Sequence, residues 1–416
     1  DIYTCEPTGS LVHRQRSARV GTRLGPAAEQ PDPAGREWLA SRDMWFRPVN
    51  VNQAPDGGLV VVDMHRAVIE HPQWVPTELK QRPDERWGDQ AGRIIWVGAA
   101  EQSSDVWSEL RERPLGSRSD AELIALVGSE NPWLRQTARR LLLEREVDDA
   151  SQPLLRMAAD TSLTTNARCT ALRLASLLSG GEQSKIDVTP FLEADLSDPN
   201  QEALAIVALS VSRQGHVPSV HPDKLLDLAT TAASTGVRFE AWLSLGAGAD
   251  SGAEARQQTI DSAHLDAVTR AWLQDGDRYV LMAAASGLRD QPAALLHSWL
   301  QALSQSAEIN ASAAGQVPQI AGALMAATLR LAAPVLDKDS QSDKDSQLHA
   351  QLREQLQQIV KTVSQAISQA VEDQPGTKPS AGQSVLRLAA IECLQPIVKQ
   401  AQLRAQLAPE LWEHLA

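Results

Sequence analysis

Residues 45–76 read WFRPVNVNQAPDGGLVVVDMHRAVIEHPQWVP, and they decide how the first quarter of the chain is read. Asp56-Gly57-Gly58 is a turn signal, because Asp and Gly tolerate the positive φ that a tight hairpin needs. The β-branched run Leu59–Val62 follows and suits a buried strand. It ends at Asp63, and His65, Arg66, Glu70 and His71 come directly after, with Arg47 upstream. A hydrophobic strand thus delivers carboxylates, imidazoles and arginines to one end of a sheet, where propeller folds build sites. Structural roles compete for the same residues: Asp63 as a cap of the next turn, Arg47 as a surface partner of Glu70.

Outward from this stretch, strands continue in both directions. Residues 1–14 predict a hairpin, DIYTCE and LVHR around the turn Pro7–Ser10. Residues 15–37 are polar and rich in Gly and Pro, a loop with one short strand near Val20. Residues 38–44 lead into the hairpin Val49–Val51 and Leu59–Val62. Gln73–Gln90 is irregular, and Arg93–Val97 is the last strand. The expectation for residues 1–98 is about two C-terminal blades of an incomplete β-propeller, whose open edges and faces imply earlier blades. The chain also begins at Asp1 inside a strand, so the natural N-terminus is expected further upstream.

Residues 99–118 are predicted to be a linker. From Ser119 the apolar period changes from two to about 3.6. Ser119-Asp120-Ala121-Glu122 opens a capped helix, and Asn131-Pro132 opens the next, with Pro where a missing N–H costs nothing. Arg135-Gln-Thr-Ala-Arg-Arg-Leu then aligns with Arg168-Cys-Thr-Ala-Leu-Arg-Leu. The same small-residue slot recurs at Ala138, Ala171, Ala205, Ala241 and Ala283, at intervals of 33, 34, 36 and 42. Shorter helices fall between: Pro153–Ala159, Val188–Ala194, His221–Ala233 and Ser262–Gln274. Neither helix of such a pair buries its apolar stripe alone, so 119–335 reads as an α-solenoid of HEAT-like repeats. Asp337–Gln341 is copied at Asp343–Gln347, which marks 336–347 as a low-complexity loop. Residues 348–416 supply further solenoid or capping helices, with a long apolar face from Leu348 to Val371 and interruptions at Pro396 and Pro409.

Composition narrows the function classes. A net charge of −13 and one short basic cluster near Arg14 argue against nucleic acid, where phosphate contacts dominate affinity. The three cysteines, Cys5, Cys169 and Cys393, are far apart and form no CxxC or CxxCH. Neither a structural zinc nor an attached haem is supported in this chain. Cys169 and Cys393 read as small core residues. There is no run of 18 apolar residues, no GxGxxG or Walker sequence, and no nucleophile elbow.

Short motifs in order carry a family resemblance: Cys5-Glu6-Pro7, Leu11–Arg14, Phe46–Asn50, Pro55-Asp56-Gly57, Val61–Arg66, Ile69–Pro72 and Gly92–Ile94. Over residues 1–98 the chain resembles the membrane-bound dehydrogenases of planctomycetes. Those join a glucose/sorbosone-dehydrogenase-like propeller to HEAT repeats and usually to a C-terminal c-type cytochrome module. It departs from them at Val60 and His65, where they usually carry Tyr, and at Gly92–Trp96, where their pattern is GRIYR. The resemblance implies a periplasmic or cell-envelope setting, with pyrroloquinoline quinone and calcium as cofactors. It implies His65 or His71 as general base, Arg47 and Arg66 as quinone contacts, and Asp63 and Glu70 as metal or orienting carboxylates. Two functions follow. One is a fragment of a quinone-dependent sugar or alcohol dehydrogenase, inactive alone, whose helical spacer links it to an electron-accepting cytochrome. The other is a non-enzymatic α-solenoid interaction scaffold with a propeller remnant.

Overall fold

The computed structural model of the chain describes residues 1–26, 36–69, 87–98, 104–147, 150–179, 186–214, 220–247, 277–287, 292–305, 311–336 and 380–399, with Gln73, Thr77, Thr269 and part of 354–366. It divides into two compact units, Asp1–Ile186 and Asp187–Ala416.

Among the described residues the first unit begins with eight short strands: β1 (Ile2–Glu6), β2 (Leu11–Gln15), β3 (Ser17–Val20), β4 (Arg23–Pro26), β5 (Leu39–Ala40), β6 (Pro48–Gln53), β7 (Leu59–Asp63) and β8 (Arg93–Val97). They form two three-stranded antiparallel sheets, β1-β2-β5 and β6-β7-β8, and a β3-β4 ribbon. The first hairpin closes with Glu6 opposite Leu11. The second closes with Gln53 opposite Leu59, around Asp56-Gly57-Gly58, and Gly57 takes φ 86°. Alternation puts Tyr3 and Cys5 of the first sheet, and Val51, Val61, Ile95 and Val97 of the second, into one core with Val12 and Phe46.

The expected propeller is corrected here. Among the described residues the sheets have three strands each, not the four of a blade, and no ring or barrel closes. Alternating apolar residues specify strands and a buried face. They do not specify how many strands join a sheet or whether the sheets circle an axis.

Within the 99–118 stretch, Ser104–Glu112 forms α1. Its Trp107 reaches back to the second hairpin. Asp56 is buried and accepts N–H groups from Gly58 (3.0 Å), the Trp96 indole (3.2 Å) and the Trp107 indole (2.6 Å). A Cβ on Gly58 would lie 2.6 Å from the Trp96 indole nitrogen, so the position needs glycine. The Asn131 side chain adds a bond to the Pro55 carbonyl (2.6 Å).

The helices that follow in this unit are α2 (Asp120–Val127), α3 (Pro132–Glu144), α4 (Ser151–Ala159) and α5 (Thr165–Leu178). The capping box at Ser119 and Glu122 is formed, and Asn131 caps α3 with Pro132 in its first turn. Bonds from Arg113 and Ser119 hold the Glu122 carboxyl down at about 2. The second unit contains α6 (Thr189–Leu192), α7 (Pro199–Arg213), α8 (Pro222–Thr231), α9 (Thr235–Ala247), α10 (Arg278–Gly287), α11 (Pro292–Gln305), α12 (Ala311–Leu336) and α13 (Ala381–Lys399). Sequential partners pack: α2 with α3, α4 with α5, α6 with α7, and α8 with α9. The five slot alanines, at 138, 171, 205, 241 and 283, are all buried. α13 runs through Pro396 without ending there. The 337–347 loop and most of the 348–371 face lie outside the described residues, although Ile359 and Val363 are buried.

Three residues before the slot, an arginine recurs as a stitch between helices. Arg135 donates to the Ser129 carbonyl (2.6 Å), Arg168 to that of Ala158 (2.9 Å), and Arg238 to those of Ala232 (2.6 Å) and Ala233 (2.9 Å). Each guanidinium meets carbonyls at or just beyond the C-terminal end of the preceding helix, where orphan acceptors and the negative end of the macrodipole coincide. Arg135 and Arg168 are themselves buried.

Two outcomes are expected. Arg168→Met strands the Ala158 carbonyl and lowers stability by about 1–3 kcal/mol in urea unfolding. Burial pushes the Asp56 carboxyl up, but the donors from Gly58, Trp96 and Trp107 outweigh it and leave it below the ordinary Asp value. The stability it contributes is therefore present above the unfolded Asp pKa, about 3.9, and is lost as pH falls through the lower folded value. Tryptophan fluorescence should report this acid transition, and Asp56→Asn should remove its pH dependence.

Candidate functional site

The residues singled out at the end of β7 are gathered by strand pairing. Pro48 sits opposite Asp63 in the β6–β7 register, and Asp63 opposite Arg93 in the β7–β8 register. The three strand ends therefore meet, and Asp63 lies between them with its side chain fully buried.

An isolated buried carboxylate is costly, so its bonds must be accounted for. Oδ1 accepts the backbone N–H of Arg47 (2.7 Å) and of His65 (2.9 Å). Oδ2 accepts Arg93 Nε (2.9 Å) and Nη2 (2.7 Å). A carboxylate offers about four lone-pair positions, and all four are in use. Burial pushes this carboxyl up, and the two amides with the Arg93 guanidinium overcome that and hold it below the ordinary Asp value. Arg93 also reaches Asp43 Oδ2 at 3.4 Å.

Arg47 is committed in the same way. Its guanidinium donates to the carbonyls of Arg66 (3.1 Å), Pro7 (2.8 Å) and Ala67 (3.3 Å). It ties the first hairpin to the segment after β7 rather than facing a ligand.

His65 stands apart. Its backbone has φ 48°, a left-handed conformation that histidine visits more readily than most residues. Its Nδ1 is buried and has no hydrogen-bond partner among the described residues, although Asp43 Oδ2 lies at 3.7 Å and Asp63 Oδ2 at 3.8 Å. Its ring meets Trp45 edge-on at 5.6 Å, and Trp45 lies 6.3 Å from Trp87. Gly88, at φ 88°, lies so close beneath that a Cβ there would collide with the His65 carbonyl. Backbone contacts from Trp87, Gly88 and Trp45 thus hold residues 65–67 in this turn.

Arg66 is half-buried and main-chain bonded: its N–H donates to the Trp45 carbonyl at 3.0 Å. Its side chain lines an open depression of about 320 Å³ with Met64, Asp89, Arg93 and Ile94. Glu70 and His71 lie outside the described residues. The structure thus brings Arg47, Asp63, His65 and Arg66 together, and it adds Asp43, Trp45 and Arg93, which sequence reading did not select. Arg93 was visible only as a strand-opening residue after Gly92.

Of the residues to which the family resemblance assigns quinone or calcium contacts, two are committed elsewhere, and Glu70 lies outside the described residues. Asp63 has no free acceptor position for a cation, and Arg47 has turned its donors to carbonyls. Among the described residues no group of three or more His, Cys, Asp or Glu side chains is arranged to hold a metal. No helix among them is long and apolar enough to cross a membrane.

Residues 1–101 match the model of a family described as a domain of unknown function (DUF7133). No curated protein and no solved structure matches the chain.

Asp63→Asn removes the charge from this node and forces an NH₂ toward donors. Thermal unfolding is expected to show a loss of about 1.5–3 kcal/mol, the range for hydrogen bonds to charged groups. His65→Gly, which relieves the backbone, is expected to cost far less.

Proposed function

We propose that this chain is an interaction scaffold, in which helical repeats are joined to a β module whose buried polar cluster serves the fold. One observation carries the reading. The carboxylate and the arginine best placed for chemistry, Asp63 and Arg47, spend their hydrogen-bonding capacity on their own backbone and on Arg93. Catalytic groups need free valence toward a substrate. The rest of the described chain is largely packed helices, three of them stitched to the preceding one by Arg135, Arg168 and Arg238, a construction that supports broad surfaces.

A second reading, part of a quinone-dependent dehydrogenase, rests on His65. An unpartnered buried nitrogen on a left-handed residue, with two carboxylates just beyond hydrogen-bond distance, is the kind of exception found at functional sites. In that reading His65 would accept a substrate proton, and the helical part would carry a cytochrome partner.

Isothermal titration of the full chain with pyrroloquinoline quinone and calcium chloride separates the two. The scaffold reading expects no saturable heat, and no dye-linked oxidation of glucose or alcohols. Saturable quinone uptake that weakens tenfold or more in Arg66→Ala would overturn it.

A further inference from the structure

β8 pairs with β7 on one side and, among the described residues, with no strand on the other. Native sheets guard such an edge with lysine, proline, a bulge or a covering segment. β8 carries neither lysine nor proline. Its one charged residue, Arg93, is turned to Asp63. Ile94 is 76% exposed and Trp96 38% exposed, on the same side of the strand. Their register partners Val62 and Val60 extend this apolar strip across the sheet.

The depression described above opens at the foot of this edge. Val62, Met64 and Ile94 give it apolar walls, and Arg66, Arg93 and Asp89 its charge. Arg93 is occupied by Asp63 and Asp43. The Arg66 guanidinium has no hydrogen-bond or ion-pair partner among the described residues. A half-buried guanidinium whose donors meet no described partner is suited to a carboxylate, which it takes as a fork.

We infer that this edge receives an extended peptide segment of a partner protein, added as a strand beside β8. An apolar side chain lies against Ile94 and Trp96, and a Glu or Asp carboxylate sits on Arg66. Main-chain pairing gives such contacts their affinity and side-chain pockets their selectivity. A second copy of the chain fits less well. The strand RIIWV contains no carboxylate, so two paired β8 strands would leave Arg66 unmet. The inference rests on the scaffold reading and names the partner class for it.

The test uses the full chain and two fluorescein-labelled octapeptides of alternating valine and threonine. One carries two glutamates and the other two lysines at the same positions. Fluorescence anisotropy is read at low and high salt. Saturable binding of the glutamate peptide is expected, at least about tenfold tighter than the lysine peptide and weakened by salt. Arg66→Ala should remove most of that preference, and Ile94→Glu should abolish binding. Both positions are off the core, and circular dichroism with a melting curve checks that each variant folds. The inference is overturned by no binding, by equal binding of the two peptides, or by indifference to both substitutions. It is also overturned by concentration-dependent dimerisation in light scattering that Ile94→Glu removes, because the edge then belongs to a second copy. Failure here with quinone uptake still absent removes the peptide site and leaves the scaffold reading. Quinone uptake removes the reading itself.

Discussion

Asp63 is a carboxylate with no exposed side-chain surface, and the end of the second sheet depends on how it is satisfied. Water cannot reach it, so four protein donors must. The N–H of Arg47 fixes the entry to β6, the N–H of His65 fixes the turn after β7, and the Arg93 fork fixes the start of β8. Each bond is ordinary. Together they leave the chain one way to arrange the three strand ends, because any other arrangement buries an unpaired charge. The cluster's unusual features surround it: the left-handed His65, the close approach of Gly88, and the guanidinium of Arg47 spent on carbonyls.

The same hairpin is held at its other end by a second buried carboxylate. Asp56 takes two indole N–H groups, one from β8 and one from α1, instead of a cation. Neutral donors hold an anion without bringing a second charge to desolvate. This also attaches α1 to the sheet, and Asn131 joins the hairpin turn to the start of α3. The β module and the first helices of the unit are therefore connected by polar bonds at the hairpin tip, while the apolar core around Val12, Phe46 and Val61 holds the two sheets.

The helical part solves a different problem. A helix pair needs close approach and satisfied ends. The buried alanines allow the first, and Arg135, Arg168 and Arg238 supply the second by reaching carbonyls at or just beyond the end of the preceding helix. The recurrence lets one local solution serve several pairs, although the spacing drifts.

Local chemistry was legible in the sequence. The hairpins around Pro7–Ser10 and Asp56-Gly57-Gly58, the β7 and β8 strands, the Ser119–Glu122 capping box and the Asn131-Pro132 start all depend on neighbours a few residues apart. Their residue types alone determine them. The tertiary structure decided the rest. Arg93 is 30 residues from Asp63 and Trp107 is 51 from Asp56, and no periodicity announces such partners. Strand patterning likewise could not distinguish propeller blades from two three-stranded sheets sharing a core, since both bury alternate residues. Whether Asp63 and Arg47 face a ligand or their own backbone turns on which atoms the fold brings within 3 Å of them, and only the packed chain contains that information.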